Sequence, residues 1–417
     1  MRFLRPFAGA AKALAAIGLS ALLGGQALAQ GADDASFRRW LDADLWPQAQ
    51  AAGVSRRSFD AAFGGVPLQL DLPDLVVPGK KAGPQKQMQA EFRSPGAYFA
   101  EKTVKGVTGG GRARASRHGK TLAAIEKRWG VPGAIVLAIW GRESGFGAAD
   151  MPHDAFSVLG TKAYLSTRKA MFREELLAAL RMVEEGHVAR KDMRSSWAGA
   201  LGQPQFLPSS FLKHAVDFDG DGKKDIWNSV PDSLASIANY LAQFGWQEGR
   251  DWGFEVVVPE TVSCALEGPD RGKSFAEWER LGITRANGKP LPKAERSKDG
   301  FLLMPAGRGG PAFLVTPNFY VLKEYNESDL YALFVGHGAD RIRYGDKLFA
   351  GRWGKVDGLL RSDVAALQRG LEAQGYDVGG ADGLPGFRTR RSIGEWQESQ
   401  GLAPTCFPSR ALVKALG

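Results

Sequence analysis

The sequence predicts a mainly α fold (α+β), with an α-rich core, a small β-containing insertion and a separate helical tail. Three observations carry this expectation. Apolar residues recur at helical spacing from Phe37 to Phe244. Between Asp251 and Tyr320 the pattern changes to short β-type runs separated by Gly, Pro and Lys. Beyond residue 356 two helix-and-turn units of similar spacing follow one another.

The elements follow in chain order. Met1 to Lys12 carries Arg2, Arg5 and Lys12 and no acid, the apolar run Ala13 to Leu23 comes next, and Ala27-Leu28-Ala29 has the small-x-small form of a signal peptidase site. Residues 1–29 therefore read as a cleaved secretory signal, which predicts a periplasmic chain. That run is too short to be a stable membrane span, and no other apolar run is long enough for one. Phe37 to Phe63 reads as helical, and Gly64 to Pro84 is broken by Pro and Gly. A second helical zone, Tyr98 to Trp129, carries an apolar face at Leu122, Ile125 and Trp129. Gly109-Gly110-Gly111 is expected to loosen it.

Pro132 opens a new helix, where its missing N–H does no harm. Residues 134–140 are apolar all round, so this helix should be buried, ending in the segment Gly141 to Gly147. Arg168 to Glu185 is amphipathic through Phe172, Leu176, Leu180 and Val183, with Gly186 as its stop. Pro231 to Phe244 repeats the pattern and is closed by Gly245. The β-type runs are Phe254 to Val258, Phe301 to Met304 and Ala312 to Val315, and helical pattern resumes from Asn326 to Gly336. Gly345 to Lys355 reads as a linker. These divisions predict a catalytic region over 30–350, with its insertion at about 251–320, and a tail domain over 356–417.

The formal charge is +9, three of the positives lying in the leader. A basic surface suits a polyanion. Export argues against nucleic acid and favours carboxylate-rich cell-wall peptides, although a basic background without a partner explains the charge equally well. The two cysteines, Cys264 and Cys406, have no zinc-site spacing, and their separation neither requires nor forbids a disulfide.

Glu143 stands at the end of the apolar helix, among Trp140 and Phe146 and beside glycines 141, 145 and 147. A carboxyl there loses hydration when ionised, so its pKa should rise toward that of a general acid working near neutral pH. The segment from Ser196 to Ser210, SWAGALGQPQFLPSS, is dense in small residues, amides and aromatics, the groups that bind sugar hydroxyls and pack on pyranose rings.

In this context the chain resembles the lytic murein transglycosylase B family. The resemblance rests on the E-S-x-F-G context of Glu143 and the SWAGALGQPQFLPSS run. It extends over Ala215 to Gly222, Ala238-Asn239-Tyr240 and Asn318 to Asn326, and covers most of the chain after the leader. It implies a lysozyme-like core with Glu143 as single general acid/base. Ser196, Gln205, Phe206, Tyr240, Asn318, Tyr325 and Asn326 would line the cleft, together with Tyr98 upstream. Pro204 stands where many relatives have Gly, which would stiffen the loop.

Hydrolytic glycosidases ordinarily use two carboxylates. With Glu143 alone, the family chemistry implies attack by the substrate's own C6 hydroxyl. The MurNAc-(β1,4)-GlcNAc bond of peptidoglycan glycan strands would then be cut to leave 1,6-anhydromuramic acid ends, a lyase reaction. Two other readings remain. One is a hydrolytic muramidase with Asp150 or Asp154 as second carboxylate; the other is a non-catalytic wall-binding protein.

Asp217, Asp219, Asp221 and Asp225 occupy positions 1, 3, 5 and 9 of a calcium-type loop, with Gly222 at position 6 and the Lys223 carbonyl at position 7. Position 12 is Asn228, not an acid. The resemblance points to Asp232 as the completing ligand. Calcium here would be structural, and the chemistry itself requires no cofactor; a metal-free Asp/Gly turn is the alternative. The tail resembles peptidoglycan-binding-domain-1 modules through Leu367-Gln368, Leu371, Gly375-Tyr376, Asp382-Gly383, Gly386, Thr389 and Arg390. A three-helix wall-binding unit is implied, tethering the enzyme to its substrate.

Overall fold

A computed structural model describes residues 33–77 and 94–417. The leader expected over 1–29 lies outside the described residues. The helices are α1 (Asp34–Trp40), α2 (Trp46–Ala51), α3 (Arg56–Phe63), α4 (Glu101–Arg117), α5 (Gly119–Trp129), α6 (Gly133–Ser144), α7 (Ala155–Leu165), α8 (Lys169–Glu184), α9 (Pro208–His214), α10 (Val230–Gln243), α11 (Phe275–Arg280), α12 (Pro317–Tyr325), α13 (Asp329–Tyr344), α14 (Arg361–Ala373), α15 (Phe387–Ser399) and α16 (Arg410–Leu416). The strands are β1 (His153–Asp154), β2 (Arg194–Ser195), β3 (Gly253–Val257), β4 (Lys273–Ser274), β5 (Thr284–Arg285), β6 (Asp299–Leu303) and β7 (Ala312–Val315). No helix among the described residues is long and apolar enough to cross a membrane.

Helix α6 is the centre of the core. Ile135 through Trp140 are all buried, because the helix is apolar on every side and packs against α4, α5, α10 and α13 together. The glycines 109–111 do not loosen the preceding zone: α4 runs unbroken through them. Gly110 and Gly111 serve close packing instead. A Cβ at Gly110 would come 2.4 Å from Phe146 and one at Gly111 2.5 Å from Ile342 of α13. The gain in helix–helix contact offsets the intrinsic helix penalty of glycine.

The insertion forms a five-stranded antiparallel sheet in the order β4-β6-β7-β3-β5, with Glu255 opposite Phe313 and Leu302 opposite Leu314. Phe275, Trp278, Ile283, Leu302 and Leu314 form its own core. The sheet ends at Val315. Pro317 then sits in the first turn of α12, and the Thr316 side chain caps that turn by accepting from Asn318 N. Helix α12 thus begins inside the stretch expected to be β-type, and the helix expected from Asn326 is α13 alone. Asn326 is extended, and the Ser328 side chain accepts from Tyr331 N to start α13, which runs to Tyr344 rather than Gly336.

The segment 345–355 is a packed strap and not a free linker. Phe349 stacks on His337 at 3.9 Å, Trp353 stacks on Phe99 at 5.1 Å, and Glu255 holds the amides of Ala350 and Gly351. The tail is three helices around Leu367, Leu371, Ile393 and Leu412. It is fastened to the insertion by a Cys264–Cys406 disulfide, S–S 2.04 Å, which the sequence left open. Beside the bridge, the buried Arg390 guanidinium donates to Glu267 at 2.6 Å and to Asp329 of α13 at 2.8 Å.

Candidate active site

Glu143 lies in the last turn of α6, which Gly145 ends in a left-handed conformation (φ 57°). Burial raises its pKa from the ordinary carboxylate value to about 7; the hydrogen bond from Tyr331 and the charge of Arg142 act in the opposite direction and are weaker. Tyr331 of α13 donates its hydroxyl directly to Glu143 Oε1. Arg142 forms no ion pair with this carboxylate. Its guanidinium lies over the rings of Tyr98 at 4.7 Å and Phe334 at 5.0 Å. Glu143 is therefore a desolvated carboxyl held by a neutral phenol, not by a cation.

Beside it stands a wall of aromatic rings. Tyr325 stacks with Tyr331 at 6.5 Å and 8° and donates to the Pro204 carbonyl at 2.7 Å. Burial and the Glu143 charge push the Tyr325 and Tyr331 hydroxyls well above the ordinary phenol range, so both remain donors. Phe206 and Tyr240 pack behind Tyr325, and the Tyr240 hydroxyl donates to the Glu324 carbonyl at 2.6 Å. These two are buried supports of the wall.

The loop after β2 is folded on itself. Ser196 Oγ accepts from the amides of Ala198 and Ala200. Gln205 has φ 57°, and its amide donates to Gly202 O and Met151 Sδ. Asn326 is exposed, its Oδ1 accepting from Ser328 N.

Asn318 departs from expectation. It is fully buried. Its Oδ1 accepts from Gln247 N while its Nδ2 donates to Gln247 O and Arg250 O, so its amide secures the 247–250 segment and does not line a cleft. Two residues at the site escaped the sequence reading. Tyr331 falls outside the motifs that pointed to the cleft. Gln203 was passed over for its neighbour Gln205, yet it accepts from Trp140 Nε1 at 2.9 Å and donates to Trp227 O at 2.9 Å, tying the loop to α6.

Neither rival carboxylate is poised for catalysis. Asp154 caps α7 through Ser157 N and pairs with Arg190 at 2.7 Å. Asp150 is exposed in the turn after α6.

In the acidic loop, Asp217, Asp219 and Asp221 place carboxylate oxygens within 4.8 Å of one another. Asp217 also accepts from the amides of Gly220 and Gly222, and the Lys223 amide donates to Asp221. An all-oxygen set on a glycine-hinged turn fits calcium. Asp232 is not in this cluster. It is fully buried beneath the loop, where it accepts from the amides of Phe218, Asp219 and Asp225, so it shapes the turn from inside and is no free completing ligand. Asp225 caps Trp227 N and Asn228 N.

Comparison with known proteins converges on one family. The transglycosylase SLT domain family matches residues 36–340, and a peptidoglycan binding domain family matches 361–416. Membrane-bound lytic murein transglycosylase B of Escherichia coli (strain K12) is 30% identical over 217 residues, 51% of this chain. The matched stretch spans 58% of that relative. SltB3 of Pseudomonas aeruginosa, solved with NAG-anhNAM-pentapeptide, is 37% identical, with 91% of this chain and 99% of that one covered and a TM-score of 0.78. Slt35 of Escherichia coli, solved with calcium, is 25% identical, with 60% and 77% covered and a TM-score of 0.50. With the family match running over most of its length, the chain belongs to the transglycosylase SLT domain family.

Proposed function

We propose that this member of the family is a lytic transglycosylase that cleaves the MurNAc-(β1,4)-GlcNAc bond of peptidoglycan, with Glu143 as the single general acid/base. The observation that carries the reading is the Glu143 carboxyl, desolvated to a pKa of about 7 and bonded to Tyr331 with no cation against it. Such a group is protonated often enough near neutrality to donate and, once ionised, basic enough to take a proton back. In the first step Glu143 protonates the glycosidic oxygen as its bond to muramic acid C1 breaks. In the second, ionised Glu143 removes the proton of the C6 hydroxyl while that oxygen bonds to C1. The product is a 1,6-anhydro end, and no water is consumed. SltB3 in complex with NAG-anhNAM-pentapeptide and with NAG-NAM-pentapeptide supports this substrate class.

Tyr331 orients the acid, and Tyr325 borders the sugar; Tyr98, Ser196, Gln205 and Asn326 supply further cleft contacts. Asp217, Asp219 and Asp221 would hold a structural calcium ion, which would neutralise the three carboxylates and stiffen the turn between α9 and α10. The tail over 356–417 binds the wall. The leader directs the chain to the periplasm, where this polymer lies.

Digestion of purified sacculi followed by mass spectrometry tests the reaction. Anhydro ends are expected, and reducing ends would move the assignment to a hydrolase. Glu143→Gln is expected to lower the rate about 10²–10⁴-fold. A variant as active as the parent would show that Glu143 is not the acid, and no cleavage by the parent would leave the chain a wall-binding protein without this chemistry.

A further inference from the structure

The Gln203 side chain is buried, 8% exposed, and uses both ends of its amide. Its Oε1 accepts from Trp140 Nε1 at 2.9 Å, and its Nε2 donates to Trp227 O at 2.9 Å. Its backbone N–H donates to Ile226 O at 2.9 Å. Residues 226 and 227 are a firm base for these bonds. Ser233 Oγ of α10 donates to the same Ile226 oxygen, Trp227 N donates to Asp225 Oδ1, and the Trp227 ring packs on Phe211 at 5.7 Å. Gly202 permits the close approach. It has φ 60°, and a Cβ there would come 2.6 Å from Ile226 O.

On its other side Gln203 meets the segment that carries Glu143 at two points. Trp140 lies three residues before Glu143 on α6, so the ring and the carboxyl are neighbours one turn apart. Gly147 lies four residues after Glu143, and a Cβ on it would come 2.7 Å from Gln203 Oε1. One amide therefore brackets the acid. Trp140 is only 2% exposed, so loss of this acceptor would strand a buried donor.

Pro204 carries the contact to the aromatic wall. Its carbonyl accepts from the Tyr325 hydroxyl at 2.7 Å, Tyr325 stacks with Tyr331, and Tyr331 donates to Glu143. The contacts close a ring that runs from Glu143 through Trp140, Gln203, Pro204, Tyr325 and Tyr331 back to Glu143. The carboxyl is held from α13 through Tyr331. The backbone that bears it is held through Trp140 and Gly147. Both supports meet at residues 203 and 204. An error of about 1 Å in the placement of a reacting group can cost about 10²-fold in rate.

We propose that Gln203 is a positioning residue for the reaction. By joining Trp140 to the Trp227 base, it sets the Glu143 carboxyl against the Tyr325–Tyr331 wall at the separation that proton transfer to the glycosidic oxygen requires. Gln203 acts through Trp140 and not by contact with the reacting atoms. The inference rests on the proposed activity.

Gln203→Met keeps the side-chain length and removes both side-chain hydrogen bonds. Trp140→Phe removes the indole N–H, the other end of the first bond. The full chain, each variant and the double variant are assayed on the soluble tetrasaccharide of two GlcNAc-MurNAc units with stem peptides, and spectra of the same samples are recorded with ¹⁵N-labelled tryptophan. Gln203→Met is expected to lower kcat about 10–100-fold with KM changed by no more than about twofold, the signature of an interaction that serves the transition state. It should also move the Trp140 indole resonance, identified by its loss in Trp140→Phe. The double variant should be no slower than the slower single variant, because both changes break one bond. An unchanged kcat, a loss carried wholly by KM, an unmoved indole resonance, or single effects that multiply in the double variant would each overturn the proposal. If Gln203→Met does not fold, Trp140→Phe reads the same bond: the same fall in kcat supports the proposal and an unchanged kcat overturns it. No cleavage by the parent chain would instead overturn the proposed activity.

Discussion

At the scale of single residues, the behaviour of Glu143 is a contest between two effects on one carboxyl. Desolvation favours the protonated acid and the Tyr331 hydroxyl favours the ion, with desolvation prevailing. Tyr331→Phe removes the opposing effect. The Glu143 pKa then rises further, and the alkaline limb of the pH–rate profile moves to higher pH because the acid form survives longer. A profile measured from pH 5 to 9 checks this; an unmoved limb, or one displaced toward acid, would show that Tyr331 does not act through Glu143. The rise at Glu143 was legible in the sequence because seven apolar neighbours precede Glu143 within its own helix. Its partner was not, because Tyr331 lies in another helix 188 positions away. Asn318 shows the reverse error. Its motif is real, but a motif does not state whether an amide faces substrate or the protein's own backbone.

At the scale of elements, α4 and the acidic loop make separate demands. Gly111 allows α4 to approach Ile342 to a distance that a methyl would occupy. Gly111→Ala is therefore expected to destabilise the fold by about 1–3 kcal/mol, the usual cost of overpacking. It should also lower activity, since α13 carries Tyr331. Thermal unfolding and a rate assay on the same sample check both. In the loop, three carboxylates repel one another without a counter-ion. Added calcium should raise the melting temperature of the full chain, and Asp219→Asn should abolish most of that rise while leaving the metal-free melting temperature unchanged or higher. A calcium response that persists in Asp219→Asn would place the ion elsewhere. The helices over 168–185 and 231–244 were legible from periodicity and their glycine stops. The glycines of α4 misled, because a residue that weakens an isolated helix can be the one that permits its packing.

At the scale of the whole molecule, the tail is held by more than a tether. The bridge Cys264–Cys406 closes a separation of 142 residues, and Arg390 buries its charge between Glu267 and Asp329. Cross-linking so distant a pair restricts the unfolded chain and is worth about 2–4 kcal/mol. Cys264→Ser should therefore lower the melting temperature under oxidising conditions and match the reduced parent. Arg390→Ala should cost about 3–5 kcal/mol, because the buried Glu267 carboxylate loses its cation, while Asp329 keeps Lys323 at 2.7 Å. If both variants melt like the parent, the tail is not docked as described.

By itself the amino-acid order determined the α-rich core, the β insertion, the three-helix tail and the raised carboxyl at Glu143. These depend on local periodicity and on neighbours within one or two helical turns. Tertiary structure alone decided that Tyr331 bonds the acid, that Asn318 faces inward, that Asp232 braces the loop from beneath, and that Cys264 meets Cys406. Each of these is a contact between segments remote in sequence, and spacing along a chain carries no record of where two distant helices cross.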